Sequence, residues 1–166
     1  MSSSIMSRFW SWYERHYNLH LAVTTILFTW QLAHLFWLTT HVVSLRVFNV
    51  SFFPDIGFLQ FLLVIADYFE VPALIGATLL YLNTLIKKPN WKDVSFLILV
   101  NSQWLHLFWI TDEFVVDMFT GNATASVLPF WLAWVAIGID YLELPVIYDT
   151  VKRSVVVLRD KYFLFK

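Results

Sequence analysis

The chain has 166 residues, of which 59% are hydrophobic and 14% are charged, and its mean hydropathy is +0.65. A soluble domain is about 45–50% apolar and about 25% charged, so this composition is typical of an integral membrane protein. The net charge of −1 argues against a nucleic-acid partner. The absence of cysteine excludes disulfides, iron–sulfur clusters and thiolate zinc sites.

Four apolar segments are long enough to cross a bilayer, which takes about 20 residues as a helix. The predicted spans are 19–45, 57–86, 94–116 and 127–148. The connections between them are short and carry turn-forming and polar residues, for example "KKPNWKD". Residues 1–166 are therefore expected to form a single all-α transmembrane domain with no separate soluble part.

Basic residues predict the orientation in a plasma or inner membrane. All Lys and Arg residues except Arg46 lie before the first span, between the second and third, or after the fourth. By the positive-inside rule, both termini and the middle connection are cytoplasmic. The tail 149–166 is read either as an interfacial amphipathic helix or as a continuation of the fourth helix. Besides the lipid bilayer, a second copy of the chain is a candidate partner.

An internal repeat organises the four spans. The segment "QLAHLFWLTTHVV" at 31–43 aligns with "QWLHLFWITDEFV" at 103–115, and "DYFEVP" at 67–72 aligns with "DYLELP" at 140–145. The chain is thus predicted to be a four-helix bundle of two tandem helical hairpins, at about 19–86 and 94–148. Both hairpins start on the same side, which makes this a parallel repeat. A duplicated packing motif would explain "LFW", but not the shared His, Asp and Glu.

The repeated polar residues fall near the middle of the membrane. At a rise of 1.5 Å per residue, His34 and Asp67 lie about 15–16 Å from the outer ends of their spans, and His106 and Asp140 are similar. The glutamates of the two hexapeptides lie one turn further in, on the same helix faces. Four ionised carboxylates at this depth would cost on the order of 10 kcal/mol. Since no Lys or Arg lies there, the carboxyls are expected to be protonated or to bind cations.

Two imidazoles and four carboxylates form a ligand set that suits a pair of divalent first-row metals. The set is similar in stoichiometry to that of ferritin-like dimetal proteins, but here Asp-x-x-Glu lies on one helix and the His on its hairpin partner. Iron is the first expectation for the metal, and zinc or manganese the next. The predicted metal ligands are His34, Asp67, Glu70, His106, Asp140 and Glu143.

Further polar residues lie on either side of these ligands. Gln31 and Gln103 fall one turn inward of the histidines and are expected to form a second shell. His41, Asp112 and Glu113 lie about 10 Å outward. They predict a second site or a polar path from outside, and an interfacial polar rim explains them equally well.

The function expected from this pattern is a membrane-embedded dimetal protein, in one form an oxidoreductase acting on a lipid or a quinone, with no catalytic residue assigned. Several alternatives stay open at this point. His34 and His106 could bind a haem b as axial ligands. The acidic residues could carry protons or cations, or act on a lipid or sterol-like ligand in the manner of an isomerase. A polar core that only fixes the register of the bundle is the remaining reading.

Overall fold

A computed structural model of the protein describes residues 2–53, 57–111 and 130–163. Within these residues all regular structure is helical, which confirms the all-α prediction. The elements are α1 Ser2–Arg15, α2 Tyr17–Trp37, a π-helical segment Leu38–Val43, α3 Ser44–Phe48, α4 Gly57–Tyr68, α5 Glu70–Lys87, α6 Trp91–Ile110, α7 Phe130–Tyr141 and α8 Glu143–Phe163.

Three helical stretches are long and apolar enough to cross a membrane, namely Tyr17–Phe48, Phe61–Lys87 and Trp131–Asp160. They overlap the first, second and fourth predicted spans, in agreement with the membrane assignment. The third predicted span, 94–116, lies only partly within the described residues. Its described part belongs to α6, which is 20 residues long but is not among the three. The four-span count therefore stays a prediction.

The first span continues almost without interruption from the amino-terminal helix. Only His16 separates α1 from α2, and the π-helical segment leads directly into α3. The stretch Tyr17–Phe48 has 32 residues, or about 48 Å of helix, against about 30 Å of bilayer hydrocarbon. It ends where Asn49 takes the left-handed conformation, with φ 57°, and donates its N–H to the carbonyl of Leu45.

The second and fourth predicted spans are each broken once, at corresponding places. A single residue interrupts each helix: Phe69 separates α4 from α5, and Leu142 separates α7 from α8. Each break lies three residues before a proline, Pro72 or Pro145, which cannot donate an N–H to the helix. Proline is tolerated in the first turn of a helix, where no such donor is needed. Each acidic hexapeptide thus spans the junction between two helices.

The tail that follows the fourth predicted span remains helical. Glu143–Phe163 is one uninterrupted α-helix of 21 residues, so residues 149–163 continue the helix that begins inside the hexapeptide. Of the two readings of the tail, the continuation of the fourth helix matches this structure. Residues 130–163, which comprise α7, Leu142 and α8, amount to about 51 Å of helix, which is well over the thickness of the hydrocarbon core.

The helices pack in a closed ring of contacts. Helix α2 packs against α5 and α8, and α6 packs against α5, α7 and α8, while α4 contacts α2 and α5. Large buried side chains fill the interior, among them Phe28, Leu74, Tyr81 and Trp109. Gly76 lies against Thr24, where a Cβ would collide with the threonine side chain, so glycine allows α2 and α5 to approach closely. The ring brings the polar face of each helix toward one shared interior.

A candidate metal centre in the bundle core

The centre of the bundle holds a layer of buried histidines and aspartates, called here the central polar layer, formed by His34, Asp67, His106 and Asp140. His34 lies between the two aspartates. Its Nδ1 contacts Asp67 Oδ1, and its Nε2 is 3.1 Å from Asp140 Oδ2. One helix of each half of the chain thus supplies a carboxylate to the same imidazole.

His106 is the most enclosed member of the layer, with 0% of its surface exposed. Its Nδ1 is 3.0 Å from Asp140 Oδ1, although the geometry is not that of a hydrogen bond. Among the described residues, neither ring nitrogen of His106 has a hydrogen-bond partner. A neutral imidazole has one donor and one acceptor nitrogen, and burial of either without a partner costs roughly 1–3 kcal/mol. The position therefore favours something that bonds to an imidazole nitrogen.

Asp140 joins the two histidines through its two carboxylate oxygens. The rings of His34 and His106 are 5.5 Å apart between centroids and are nearly perpendicular. One ligand atom from each of His34, His106 and Asp140 lies within 4.8 Å of the others, a spacing that could hold one metal ion. Asp67 lies on the far side of His34 from Asp140. That is the place of a carboxylate that orients a metal-binding histidine through its other nitrogen.

Glu70 and Glu143, called here the glutamate pair, adjoin the central polar layer. Each is only 3% exposed, and their carboxyl groups are close enough to act electrostatically on each other and to feel the charge of Asp140. Ionised carboxylates only accept hydrogen bonds, so two of them close together need a proton or a cation between them. The helix breaks make these residues the first of α5 and α8, where the helix dipole favours negative charge.

The two glutamines contact the helix breaks rather than the histidines. Gln31 donates its side-chain N–H to the carbonyl of Ala66 at 3.4 Å, and Gln103 donates to the carbonyl of Ile139 at 2.8 Å. Each of these carbonyls lies three residues before the break in its helix. The glutamine amides therefore bond the backbone that carries the carboxylates, and their second-shell role stays a prediction.

A layer of hydroxyl groups lies on the opposite side of the histidines from the glutamate pair. Tyr68 and Thr111 share a 2.7 Å hydrogen bond, and Thr39 and Tyr141 share another of the same length. Each bond joins one half of the chain to the other. The indoles of Trp37 and Trp109 pack on the two histidines, at 5.7 and 5.6 Å between ring centroids.

The residues predicted further outward are only partly described. His41 stacks on Trp37 at 5.6 Å, and its Nδ1 forms a 2.7 Å hydrogen bond with Ser51. The Trp37 indole therefore contacts both His41 and His34. Asp112 and Glu113 lie outside the described residues, so the predicted outer site or polar path stays a prediction.

A second group of charged residues, which was not predicted from the sequence, surrounds two buried aspartates. This Arg153 cluster consists of Lys92, Asp93, Asp149 and Arg153, with Tyr81. Arg153 bonds Asp149 at 2.7 Å and Asp93 at 2.6 Å, and Lys92 bonds Asp149 at 2.7 Å. Tyr81 also donates to Asp149, and its ring lies 5.1 Å from the guanidinium. The i,i+4 spacing of Asp149 and Arg153 is the feature of the sequence that indicates this cluster.

Comparisons of the chain with protein-family models, with curated proteins and with solved structures find no match. The class of protein is therefore defined by the fold and by the site. It is a helical protein with membrane-length apolar helices, and its core holds a buried group of His and Asp side chains that could bind a metal.

Proposed function

We propose that this chain is an integral membrane protein that binds metal ions in the centre of its helical bundle. The observation that carries the proposal is His106, which is fully buried with no hydrogen-bond partner on either ring nitrogen among the described residues. A buried histidine with a purely structural role normally has a hydrogen-bond partner, and an apolar residue of similar size would otherwise serve in its place. A metal ion would provide the missing bond and would neutralise the nearby aspartates.

The spacing of the layer is compatible with metal coordination. Two ligand atoms that are each about 2.0–2.1 Å from a metal lie about 2.9–3.4 Å apart for bond angles between roughly 90° and 109°. The contacts that Asp140 makes to the two histidines, at 3.1 and 3.0 Å, fall in this range. His34, His106 and Asp140 are the proposed ligands of one ion, and Asp67 orients His34. The glutamate pair is available to a second ion, as a dimetal centre requires.

Matched contacts support the proposed repeat. The Gln-to-carbonyl, Tyr-to-Thr and Trp-on-His contacts each occur twice, at positions 72 or 73 residues apart. The helix breaks before Pro72 and Pro145 follow the same spacing. We therefore propose a four-helix transmembrane bundle of two parallel hairpins with its pseudo-twofold axis through the metal centre. The distribution of basic residues supports cytoplasmic termini.

Iron is the proposed metal, with zinc or manganese next, because mixed imidazole and carboxylate ligands serve all three. With iron, the centre would support redox chemistry on a lipid or a quinone, which the surrounding bilayer holds at high concentration. A haem is disfavoured by Asp140, whose carboxylate bridges the two histidines and occupies the place that a porphyrin plane would need.

The test is elemental analysis of protein purified without added metal. His106→Gln is expected to reduce the metal content from near-stoichiometric to a small fraction. His20→Gln is the matched control, since His20 lies near the start of α2, more than three turns from His34. Both variants are compared with wild type by circular dichroism and size exclusion. Substoichiometric metal in wild type, or equal metal in wild type and His106→Gln, would contradict the proposal.

A further inference from the structure

We infer that the glutamate pair forms a cation site of its own, which takes a harder ion than the histidine site one turn away. This inference deepens the proposed function and rests on it. Glu70 and Glu143 come from different helices, and both lie at the start of a helix that begins at the break. Their carboxyl groups lie close together in the interior, so a ligand between them would be enclosed by protein.

Unpartnered oxygen atoms mark the place. The Oε1 atoms of Glu70 and Glu143 are buried without a hydrogen-bond partner among the described residues. The same holds for the Oε1 atom of Gln103, a fully buried side chain whose amide nitrogen is fixed on Ile139, one turn before Glu143. Buried acceptors without donors are rare in folded proteins and point to an ion or a water that bonds them.

Neither Lys nor Arg neutralises the pair within residues 2–53, 57–111 and 130–163, and His34 is the basic side chain closest in effect to Glu143. Asp67 and Asp140 are charged neighbours of both glutamates. Four carboxylates so close together repel one another strongly at low dielectric. A divalent cation held by Glu70 and Glu143 would offset this repulsion.

The donor atoms separate the two sites chemically. The central polar layer offers imidazole nitrogen, which suits zinc and iron, while the glutamate pair offers oxygen alone. Oxygen-only sets suit manganese, magnesium and calcium. Calcium takes six to eight oxygens, more than this pair supplies, whereas magnesium is held by one or two carboxylates together with water, and manganese, which favours the same ligands, is its spectroscopically visible counterpart. The structure therefore points to a mixed centre with a zinc- or iron-type ion at the histidines and a manganese-type ion at the glutamates.

The test uses two metals on the full-length protein in detergent. Protein is first saturated with Zn²⁺, and Mn²⁺ is then titrated while free Mn²⁺ is followed by electron paramagnetic resonance. Glu70→Gln with Glu143→Gln is expected to weaken Mn²⁺ binding at least 30-fold and to change Zn²⁺ affinity less than threefold. His106→Gln is expected to weaken Zn²⁺ binding at least 30-fold and to change Mn²⁺ affinity less than threefold. Glu14→Gln, at an exposed glutamate of α1, is the matched control and should change neither.

The outcomes separate this inference from the proposed function. If wild type binds neither Zn²⁺ nor iron, the proposed function fails. If it binds Zn²⁺ but no Mn²⁺ at millimolar concentration, the glutamates share a proton and only this inference fails. If both variants lost Zn²⁺ and Mn²⁺ affinity equally, the two metals would share one site, and this inference would again fail.

A measurement on unsubstituted protein covers the case in which the glutamine variant does not fold. X-ray absorption at the manganese edge of protein loaded with Zn²⁺ and Mn²⁺ is expected to show an oxygen shell without imidazole scattering. Imidazole scattering around manganese would overturn the inference, because it would place that ion on the histidines.

Discussion

The central polar layer and the Arg153 cluster both bury aspartates, but they differ in what neutralises them. In the Arg153 cluster, Asp93 and Asp149 are matched by Arg153, by Lys92 and by the hydroxyl of Tyr81. In the central polar layer, Asp67 and Asp140 face only histidines, and two more carboxyls lie one turn away. The cluster matches its acids with Lys and Arg, whereas no Lys or Arg in the described part of the chain pairs with the carboxylates of the layer.

The difference indicates what each group is for. Removal of one partner from a buried ion pair typically costs about 3–5 kcal/mol, so a chain that only needed stability would pair its buried acids with bases. This chain does so at the Arg153 cluster. At the layer, among the described residues, the carboxylates have no Lys or Arg partner and His106 has no hydrogen bond, and the proposed metal site would account for both.

Asp140→Asn should have the largest effect. The substitution removes the charge that contacts both histidines and replaces one acceptor oxygen with a donor. Metal affinity, measured by competition with a chromogenic chelator, is expected to fall by more than about 100-fold, beyond the range for outer partners of a ligand. Asp93→Asn in the Arg153 cluster is the matched control, with unchanged metal affinity. Equal losses of metal affinity in Asp140→Asn and Asp93→Asn would contradict the assignment of metal binding to the central polar layer alone.

Arg153→Met should destabilise the protein without affecting the metal. It leaves Asp93 and Asp149 with fewer partners, but the arginine side chain is 22% exposed. After allowance for screening by solvent, the free energy of unfolding is expected to drop by about 2–3 kcal/mol. Denaturation in mixed micelles measures this. Arg159→Met, at an exposed arginine, should change it by less than about 0.5 kcal/mol. If folded Arg153→Met lost its bound metal, the Arg153 cluster would contribute to metal binding, and the two regions would not be independent.

Asp67→Asn should weaken metal binding less than Asp140→Asn, because Asp67 contacts only His34 among the histidines. An asparagine in its place no longer selects the tautomer that directs Nε2 at the metal. A decrease in affinity of about tenfold to 100-fold is expected. The absorption spectrum of bound Co²⁺ should shift as well, which a purely structural role would not cause. An unchanged Co²⁺ spectrum together with normal metal affinity would show that Asp67 does not orient His34 for metal binding.

Tyr68→Phe and Tyr141→Phe should have the smallest effects, and the effects should be equal. Each removes one hydroxyl-to-threonine hydrogen bond between the two halves of the chain. Interhelical hydrogen bonds in membrane proteins are worth about 0.6 kcal/mol on average. Unfolding of the two variants in the same micelles is therefore expected to differ by less than about 0.3 kcal/mol. A difference above about 1 kcal/mol would contradict the proposed symmetry of the two halves.

Periodicity and depth predicted much of the central polar layer. Because helical rise fixes how far a residue lies along its helix, the two hexapeptides and the two "HLFW" segments could be placed at one level before any contact was known. The structure brings His34, Asp67, His106 and Asp140 together at that level.

The contacts within the layer could not be predicted in the same way. Asp140 faces both histidines while Asp67 faces one, and that difference depends on the tilt and rotation of packed helices. The bonds that the glutamine amides donate to the carbonyls of Ala66 and Ile139 likewise depend on how the helices pack at their breaks. The π-helical segment Leu38–Val43 was not predicted from the sequence.

The two tryptophans beside the histidines give the molecule a built-in optical probe. Trp37 and Trp109 are two of the nine tryptophans, and each ring lies within 6 Å of a proposed ligand ring. An open-shell ion such as iron or manganese would quench their emission, whereas zinc, with its filled d shell, would not. Intrinsic fluorescence can therefore report both the arrival of a metal and its electronic type, with the other seven indoles as an internal reference.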